Sequence, residues 1–157
     1  MVSMKLLPGG LACALLLLAP QAALAAEDLP SWVTLTADKV NMRVGPARDY
    51  AIRWVYRRDG LPLKVVRLHE GWRLVEDQDG AKGWVLARFL SRARGAVVTG
   101  KGAEIREQPG GAGKLMWRAE PGVVGRLGDC RDGWCKLDVT GHKGWISGKA
   151  IWGEGEP

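Results

Sequence analysis

An internal duplication constrains the fold of this 157-residue chain more than any other feature. A glycine and a later Gly-Trp pair stand the same distance apart in residues 60–72 and in residues 122–134. A second Gly-Trp pair follows in each copy, within residues 80–85 and 141–146. Landmarks that recur in the same order indicate two consecutive copies of one structural unit of about 60 residues. The other landmarks in register are residues 40–46 with 103–109, Trp54 with Trp117, Phe89 with Ala150, and Leu90 with Ile151.

Short strands joined by tight turns are the pattern within each unit. Residues 61–68 are rich in Leu and Val, and residues 72–76 and 82–86 flank a segment of Asp and Gly that favours a turn. This arrangement predicts a β-hairpin, and residues 87–90 suit a single helical turn. Beyond the N-terminal region, apolar residues nowhere keep helical spacing long enough for a sizeable helix. The sequence therefore predicts an all-β protein.

The N-terminus has the features of an export signal. Lys5 supplies a positive charge, residues 11–19 are wholly apolar, and residues 23–25 match the small-x-small pattern of a signal-peptidase site. The apolar run is far shorter than the roughly 20 residues of a spanning helix, which makes an uncleaved anchor the weaker interpretation. Cys13 lies inside the run rather than at its end, which disfavours a lipoprotein. We expect residues 1–25 to be a cleaved signal peptide, the protein to be periplasmic or secreted, and no stable membrane insertion.

Two cysteines, Cys130 and Cys135, remain after the predicted cleavage. An even count in an exported protein favours a disulfide, and the four intervening residues can form a turn that brings the two α-carbons within bridging distance. The alternative is a thiol-redox pair, although such pairs usually have two intervening residues. The second unit has few large apolar residues between Gly110 and Gly128. The bridge is therefore predicted to stabilise the weaker unit.

Three motifs of the first unit resemble those of the bacterial SH3-like (SH3b) family. They are the opening Val-Asn-Met-Arg-Val-Gly-Pro of residues 40–46, the central Gly-Trp of residues 71–72 and the closing Gly-Trp-Val of residues 83–85. The second unit keeps most of these positions but has Glu107 and Gln108 where Ser-Gly is usual. The arrangement of the two units is similar to that of tandem-repeat SH3-like proteins exported by proteobacteria.

This resemblance implies two tandem SH3-like β-barrels of five or six strands each, over residues 33–93 and 96–153. Relatives of this fold bind cell-wall peptides, often as targeting modules beside peptidoglycan hydrolases. The resemblance thus implies a non-catalytic binding module of the periplasm or cell envelope that recognises a cell-wall peptide or a protein partner. Fold alone does not fix function, and two alternatives stay open: an adaptor that docks on an envelope enzyme, and a thiol-redox protein.

Residues with catalytic or metal-binding chemistry are sparse. His69 and His142 occupy non-equivalent places in the two units and offer no zinc-ligand spacing. Asp77 and Asp79 fall in a predicted turn, where such residues are common for conformational reasons. No Gly-rich phosphate loop follows a strand and opens a helix. We therefore expect no catalytic residue, no metal site and no cofactor.

The eight tryptophans admit two interpretations. Those of the Gly-Trp pairs are predicted mainly to fill the small cores, because an aromatic ring supplies much apolar area. The alternative is that some of them line a groove for a sugar or a peptide. Trp54, Trp117 and Trp152 are candidates for bridging the two units. The landmarks assigned to the core are Gly71, Trp72, Gly83, Trp84, Gly133, Trp134, Gly144 and Trp145.

Positive charge is concentrated in the first unit, which makes it the preferred binder. Residues 27–95 carry thirteen Lys or Arg and nine Asp or Glu, whereas residues 96–157 carry nine and eight. A solvated surface is one explanation, and attraction to an anionic polymer or membrane face is the other. In an exported protein, peptidoglycan carboxylates or anionic lipid fit this charge better than nucleic acid. The oligomeric state stays open. The candidate ligand-binding residues are Arg43, Tyr50, Trp54, Arg57 and Trp72.

Overall fold

The computed structural model describes residues 28–157, which form two β-sheet modules with the same order of elements. The predicted signal peptide lies outside the described residues. The first module consists of β1 (Ser31–Leu35), β2 (Val40–Arg43), β3 (Ile52–Tyr56), β4 (Pro62–His69), β5 (Trp72–Glu76), β6 (Lys82–Leu86), a 3₁₀ turn (Ala87–Phe89) and β7 (Leu90–Ser91). The second consists of β8 (Gly95–Val98), β9 (Ala103–Arg106), β10 (Leu115–Ala119), β11 (Val124–Arg131), β12 (Trp134–Val139), β13 (His142–Ser147), a 3₁₀ turn (Gly148–Ala150) and β14 (Ile151–Trp152).

Each module is a seven-stranded antiparallel sheet of the SH3-like kind. The strand orders are β3-β2-β6-β5-β4-β1-β7 and β10-β9-β13-β12-β11-β8-β14, so the second module repeats the first strand by strand. The all-β fold and the duplication predicted from the sequence are confirmed. The sheets have seven strands rather than five or six because a two-residue strand follows each 3₁₀ turn and pairs with the module's first strand, as Thr34 does with Ser91.

The duplication extends to the irregularities of the sheets. The pairing of β2 with β3 shifts register between Met42 and Arg43, and that of β9 with β10 shifts at the equivalent place. A second shift lies in β4 before Arg67 and in β11 before Cys130. A bulge bends its strand and changes the direction of its side chains. Because the bulges match, aligned residues of the two modules lie at corresponding places on the two surfaces.

Each module has its own hydrophobic core, and the second is built from smaller side chains. Each cluster lies within its own module, as expected for two copies of one structural unit. The first consists of Val33, Leu35, Val40, Met42, Tyr56, Leu63, Val65, Val75 and Val85. The second consists of Ala96, Val98, Ile105, Ala119, Leu127, Cys135, Leu137, Ile146 and Ile151.

The closing Gly-Trp landmark is explained by how closely β6 approaches β2. A Cβ added at Gly83 would collide with the Met42 side chain and lie 2.9 Å from the carbonyl oxygen of Arg43. In the second module, a Cβ at Gly144 would collide with Ile105. Glycine at this position therefore permits the close strand contact that lets the sheet curl around its core.

A disulfide joins Cys130 to Cys135 across the β11–β12 hairpin, which confirms the pairing predicted from the sequence. Their α-carbons are 4.0 Å apart. The turn between them uses Asp132 at φ 51° and Gly133 at φ 75°, the left-handed conformation that suits a two-residue hairpin. Cys135 is fully buried in the second core, so the bridge ties an exposed hairpin directly to the smaller of the two cores.

The two modules pack directly against each other through β14 and the residues that follow it. The ring of Trp152 meets that of Trp32 edge to face, with centroids 4.7 Å apart. Trp32 Nε1 donates a hydrogen bond to the carbonyl of Gly155 at 3.1 Å, and Arg94 donates to that of Gly153 at 2.7 Å. These contacts bind the C-terminal end of the second module to β1 of the first.

Candidate functional site

A groove of about 280 Å³ on the first module combines aromatic and cationic side chains. We call it the basic groove. Its cations come from the segment before β2, the end of β2, the β2–β3 loop and the 3₁₀ turn, and its floor is aromatic. The residues that line it are Lys39, Asn41, Arg43, Arg48, Trp72, Leu86, Arg88 and Phe89.

Trp72 is placed in the groove by the hairpin turn that precedes β5. Glu70 adopts φ 46° in this turn, and Trp72 then pairs with His69 on one side and Leu86 on the other. The indole is 8% exposed, yet it lines the groove without belonging to the core cluster. The indole is thus a largely buried part of the groove lining, and its small exposed area is apolar.

Arg43 is anchored by the loop between β2 and β3. Its guanidinium donates a hydrogen bond to the carbonyl oxygen of Tyr50 at 2.6 Å. The ring of Tyr50 in turn covers Gly45, where an added Cβ would lie 2.6 Å from its Cε1 atom. These contacts fold the loop back toward β2, which carries Arg48 to the rim of the groove.

The cations of the basic groove are not neutralised within the protein. Lys39, Arg43, Arg48 and Arg88 take part in no ion pair with residues 28–157. The guanidinium of Arg88 lies over the ring of Phe89, 4.7 Å from its centroid. Three of the four side chains are exposed and Arg43 is half-buried. The groove therefore presents positive charge to an anionic ligand.

The equivalent surface of the second module has lost this character although its tryptophan, Trp134, is retained. Glu104 stands where the first module has Asn41, and it pairs with Arg106 at 2.6 Å and with Arg118 at 2.9 Å. Hydrogen bonds from these two guanidinium groups lower the pKa of Glu104, so it stays ionised and neutralises the counterpart of Arg43. Gly111 occupies the position of Arg48.

The structure brings together some of the candidate ligand-binding residues and separates others. Arg43 and Trp72 line the basic groove, and Tyr50 supports it through its backbone. Trp54 is 59% exposed and lines a different depression, beside Tyr56 and the β5–β6 turn. Arg57, exposed after the end of β3, does not line the basic groove.

Sequence reasoning missed Lys39, Arg48, Arg88 and Phe89 as members of one site. The excess of arginine in the first unit was visible, but it did not separate these residues from arginines elsewhere on the surface. A comparison of the two units gives a partial signal, because Lys39 and Arg48 align with Gly102 and Gly111, whereas Arg88 aligns with the cation Lys149. 

The landmarks assigned to the core lie at several depths. Trp72 and Trp145 are buried, whereas Trp84 and Trp134 are half-buried, and none of the four belongs to the core clusters. Gly71 and Gly133 are exposed in hairpin turns rather than buried, because their role is to form the turn that precedes the tryptophan. Gly83 is buried and Gly144 is half-buried at the strand contacts described above.

Of the three tryptophans proposed to bridge the modules, Trp152 does so. Its partner is Trp32, a residue that the sequence did not single out. Trp117 packs against the core of its own module. Its indole N–H is buried and has no hydrogen-bond partner among the described residues. Trp54 faces solvent.

A group of metal-ligand atoms also occurs at the disulfide. The sulfur atoms of Cys130 and Cys135 and a carboxylate oxygen of Glu154 lie within 4.8 Å of one another. Because the two sulfurs are bonded to each other, they are not thiolates that could bind a metal. Among residues 28–157, no helix is long and apolar enough to cross a membrane.

Comparisons with known proteins identify the family. No curated protein matches the chain. Among solved structures it is similar to NlpC2 from Trichomonas vaginalis, with 15% identity, a TM-score of 0.37, and coverage of 80% of this chain and 48% of that one. NlpC1 from Trichomonas vaginalis gives 14% identity, a TM-score of 0.36, and coverage of 80% and 46%. The chain spans about half the length of both. The model of the bacterial SH3 domain matches residues 36–92 and 99–153, and the chain therefore belongs to the bacterial SH3 domain family, with two domains in tandem.

Proposed function

We propose that this protein is a non-catalytic binding module of the cell envelope that holds a carboxylate-bearing cell-wall peptide in the basic groove. The observation that carries the proposal is the set of four cations around Trp72, which have no acidic partner among the described residues. Membership of a family of binding domains supports it. The disulfide and the family are consistent with an extracellular or envelope location.

The chemistry of the groove suits a peptide that carries carboxylates. The planar guanidinium groups of Arg43, Arg48 and Arg88 can each receive both oxygens of a carboxylate. The rings of Trp72 and Phe89 supply apolar area against which the aliphatic part of the peptide can pack. Because most of the cations are exposed, each charge pair contributes little alone and weakens with salt. A polymer with repeated carboxylates would offset this weakness through multivalency.

The test is co-sedimentation of the protein, without residues 1–25, with purified peptidoglycan sacculi at low and moderate salt. We expect binding that weakens with salt and that falls by up to about fivefold for each of Arg48→Gln and Arg88→Gln, since an exposed ion pair contributes on the order of 0.2–1 kcal/mol. The matched control is Lys149→Gln, which removes the second module's counterpart of Arg88 and should leave binding unchanged. Absence of co-sedimentation at both salt concentrations would refute the wall-binding function.

A second candidate function, docking on an envelope protein, is favoured by an exposed apolar surface on the β2–β3 hairpin. We call it the hairpin patch. Four large apolar side chains of this one hairpin are each about half exposed, and apolar surface concentrated in one region is typical of protein interaction sites. They are Val44 at 48%, Tyr50 at 48%, Ile52 at 47% and Trp54 at 59%.

Docking through the hairpin patch predicts that Trp54→Ala abolishes the capture of a specific envelope enzyme while the melting temperature is unchanged. The matched control is Leu68→Ala, which removes an exposed apolar side chain, 36%, from the β4–β5 hairpin of the same module. Reconstitution with the purified enzyme distinguishes direct docking from indirect retention. Equal binding by the wild type and by Trp54→Ala would count against this function.

A further inference from the structure

A second groove, on the second module and away from the basic groove, has features of a built ligand site. Its volume is about 560 Å³, in the range of small-ligand and peptide sites. Leu127 and Leu137 form its buried floor, Trp145 forms one wall, and Met116 stands at the rim with 49% of its surface exposed. We call it the Trp145 groove.

The groove is open because the second module has lost bulk at one strand position. Gly128 of β11 aligns with Val66 of β4, and Lys136 of β12 aligns with Leu74 of β5. Both side chains of the first module are half-buried. A Cβ added at Gly128 would lie 3.2 Å from the Cβ of Lys136, so a valine at this position would occupy the floor of the groove.

The second module has also lost an ion pair beside this opening. In the first module Glu76 bridges two lysines, at 3.6 Å from Lys64 and 3.2 Å from Lys82. In the second module the counterpart of Glu76 is Asp138, which is one methylene shorter. It reaches Lys143 at 3.6 Å and accepts a hydrogen bond from the backbone of the β12–β13 turn.

The consequence is an unpaired guanidinium at the edge of an apolar groove. Arg126, the counterpart of Lys64, is exposed and forms no ion pair with residues 28–157. The other charged groups of the groove are two acidic residues, Glu107 and Asp138, and two basic residues, Lys136 and Lys143, so their charges cancel. Arg126 therefore gives the groove a net preference for an anion beside its apolar floor.

The wall of the groove is fixed by the disulfide-bonded hairpin. The guanidinium of Arg131 lies 5.0 Å from the centroid of the Trp145 ring, and the ammonium of Lys136 lies 5.5 Å from it. These residues directly follow Cys130 and Cys135 in the chain. The disulfide thus orders the two cations that hold the indole, which preorganises the groove for binding.

The Trp145 groove adjoins a cleft between the modules. Arg126 and Asp138 line both the groove and this cleft, whose volume is about 600 Å³. Gly60, Gly95 and Gly125 are among the residues that line this cleft, and they add no side chain to it. The two adjoining depressions, which we call the trough, fit an extended chain better than a compact small molecule.

We propose that this trough binds an extended segment of a partner protein in which an apolar side chain adjoins a carboxylate. The apolar side chain packs over Gly128 and against Trp145, and the carboxylate pairs with Arg126. The rest of the segment runs into the cleft between the modules. This site is independent of the basic groove, so the protein has one site for the wall and another for a protein partner.

The test is an NMR titration of the protein with the peptide acetyl-Gly-Leu-Asp-Gly-amide, with the Leu-Asn peptide as the uncharged control. We expect saturable shifts of the Gly128 and Gly144 amides and of the Trp145 indole N–H, and affinity for the Leu-Asn peptide up to about fivefold lower, because its exposed ion pair with Arg126 is lost. Arg126→Gln, a surface change that leaves the core intact, should lower the affinity for the Leu-Asp peptide by the same factor. Gly128→Val should abolish the shifts.

Two control variants make the result specific. Lys64→Gln removes the first module's counterpart of Arg126, and Arg43→Gln disables the basic groove; both should bind the peptide as the wild type does. Peptide binding that is unchanged in Arg126→Gln and Gly128→Val, or no saturable shift with either peptide, would overturn the proposal. Loss of sacculus binding in Arg126→Gln would also overturn it, since the occupant would then be the wall polymer.

Discussion

Glu104 Oε2 lies 2.6 Å from Arg106 Nη2, whereas Asn41 occupies the equivalent place beside Arg43 and leaves that guanidinium without an acidic partner. Glu104 is thus one of the side chains that distinguish this surface of the second module from the basic groove, together with Gly102 and Gly111 in the places of Lys39 and Arg48. The modules share their strand order and their paired tryptophans, so this difference in charge is a matter of side chains and not of fold. It can be transferred between the modules by substitution.

Asn41→Glu should place in the basic groove the ion pair that the second module already has. The new carboxylate would neutralise Arg43 and repel an anionic ligand, so we expect binding to sacculi to fall about two- to fivefold. Thermal denaturation should show an unchanged melting temperature, because position 41 is half-buried at the surface. Asn41→Gln, which adds bulk without charge, is the control. Equal loss in both variants would mean that steric hindrance and not charge is responsible.

The pKa of Glu104 should be measurably below its ordinary value of 4.5, because Arg106 and Arg118 donate hydrogen bonds to its charged form. A carboxyl whose pKa is lowered by folding adds stability above its unfolded pKa and loses that contribution as pH falls through the folded pKa. An NMR pH titration of the Glu104 side chain measures the shift directly. In Arg106→Gln the pKa should rise toward 4.5, and an unchanged value would contradict the assigned pairing.

Tyr56 should remain un-ionised in the folded protein well beyond its ordinary pKa of 10.0. Burial raises the pKa, and so do the charge of Asp77 and the hydrogen bond that Tyr56 donates to it at 3.1 Å. The unfolded chain ionises this tyrosine near its ordinary value, so stability should fall as pH rises above about 10. Tyr56→Phe should lose about 1 kcal/mol at neutral pH through the missing hydrogen bond. In chemical denaturation, Tyr56→Phe should also lose less stability than the wild type as the pH rises above about 10. Parallel curves of unfolding free energy against pH for the two proteins would contradict the interpretation.

Removing the disulfide should destabilise the second module. Closing so short a loop is expected to contribute about 2 kcal/mol by restricting the unfolded chain. Cys130→Ala with Cys135→Ala should lower the unfolding free energy by that amount, and a reductant should lower the melting temperature of the wild type only. If the double variant keeps full stability but loses a cellular activity that depends on thiol exchange, the redox alternative gains support and the structural role fails.

The parts of the fold that the sequence predicted depend on local chemistry. The Asp and Gly residues of segment 77–80 favour a turn between strands through their own backbone preferences, and the Gly-Trp repeats mark strand starts and strand contacts. The basic groove could not be predicted in the same way, because Lys39, Arg48 and Arg88 belong to separate segments that only tertiary packing brings together. The contact of Trp32 with Trp152 was hidden for the same reason: 120 positions separate its two members.

The two glycines of the first module's Gly-Trp pairs should respond differently to alanine. At Gly83 a Cβ would collide with Met42 and lie 2.9 Å from the carbonyl oxygen of Arg43, a backbone atom that cannot rotate away. Gly83→Ala should therefore destabilise the first module by about 1–3 kcal/mol through overpacking. At Gly71 a Cβ would meet no atom within 4 Å and the backbone is not left-handed, so Gly71→Ala should be close to neutral. Chemical denaturation of both variants gives the comparison. Equal stability would mean that β6 does not need glycine to approach β2, and the structural explanation of the closing motif would be wrong.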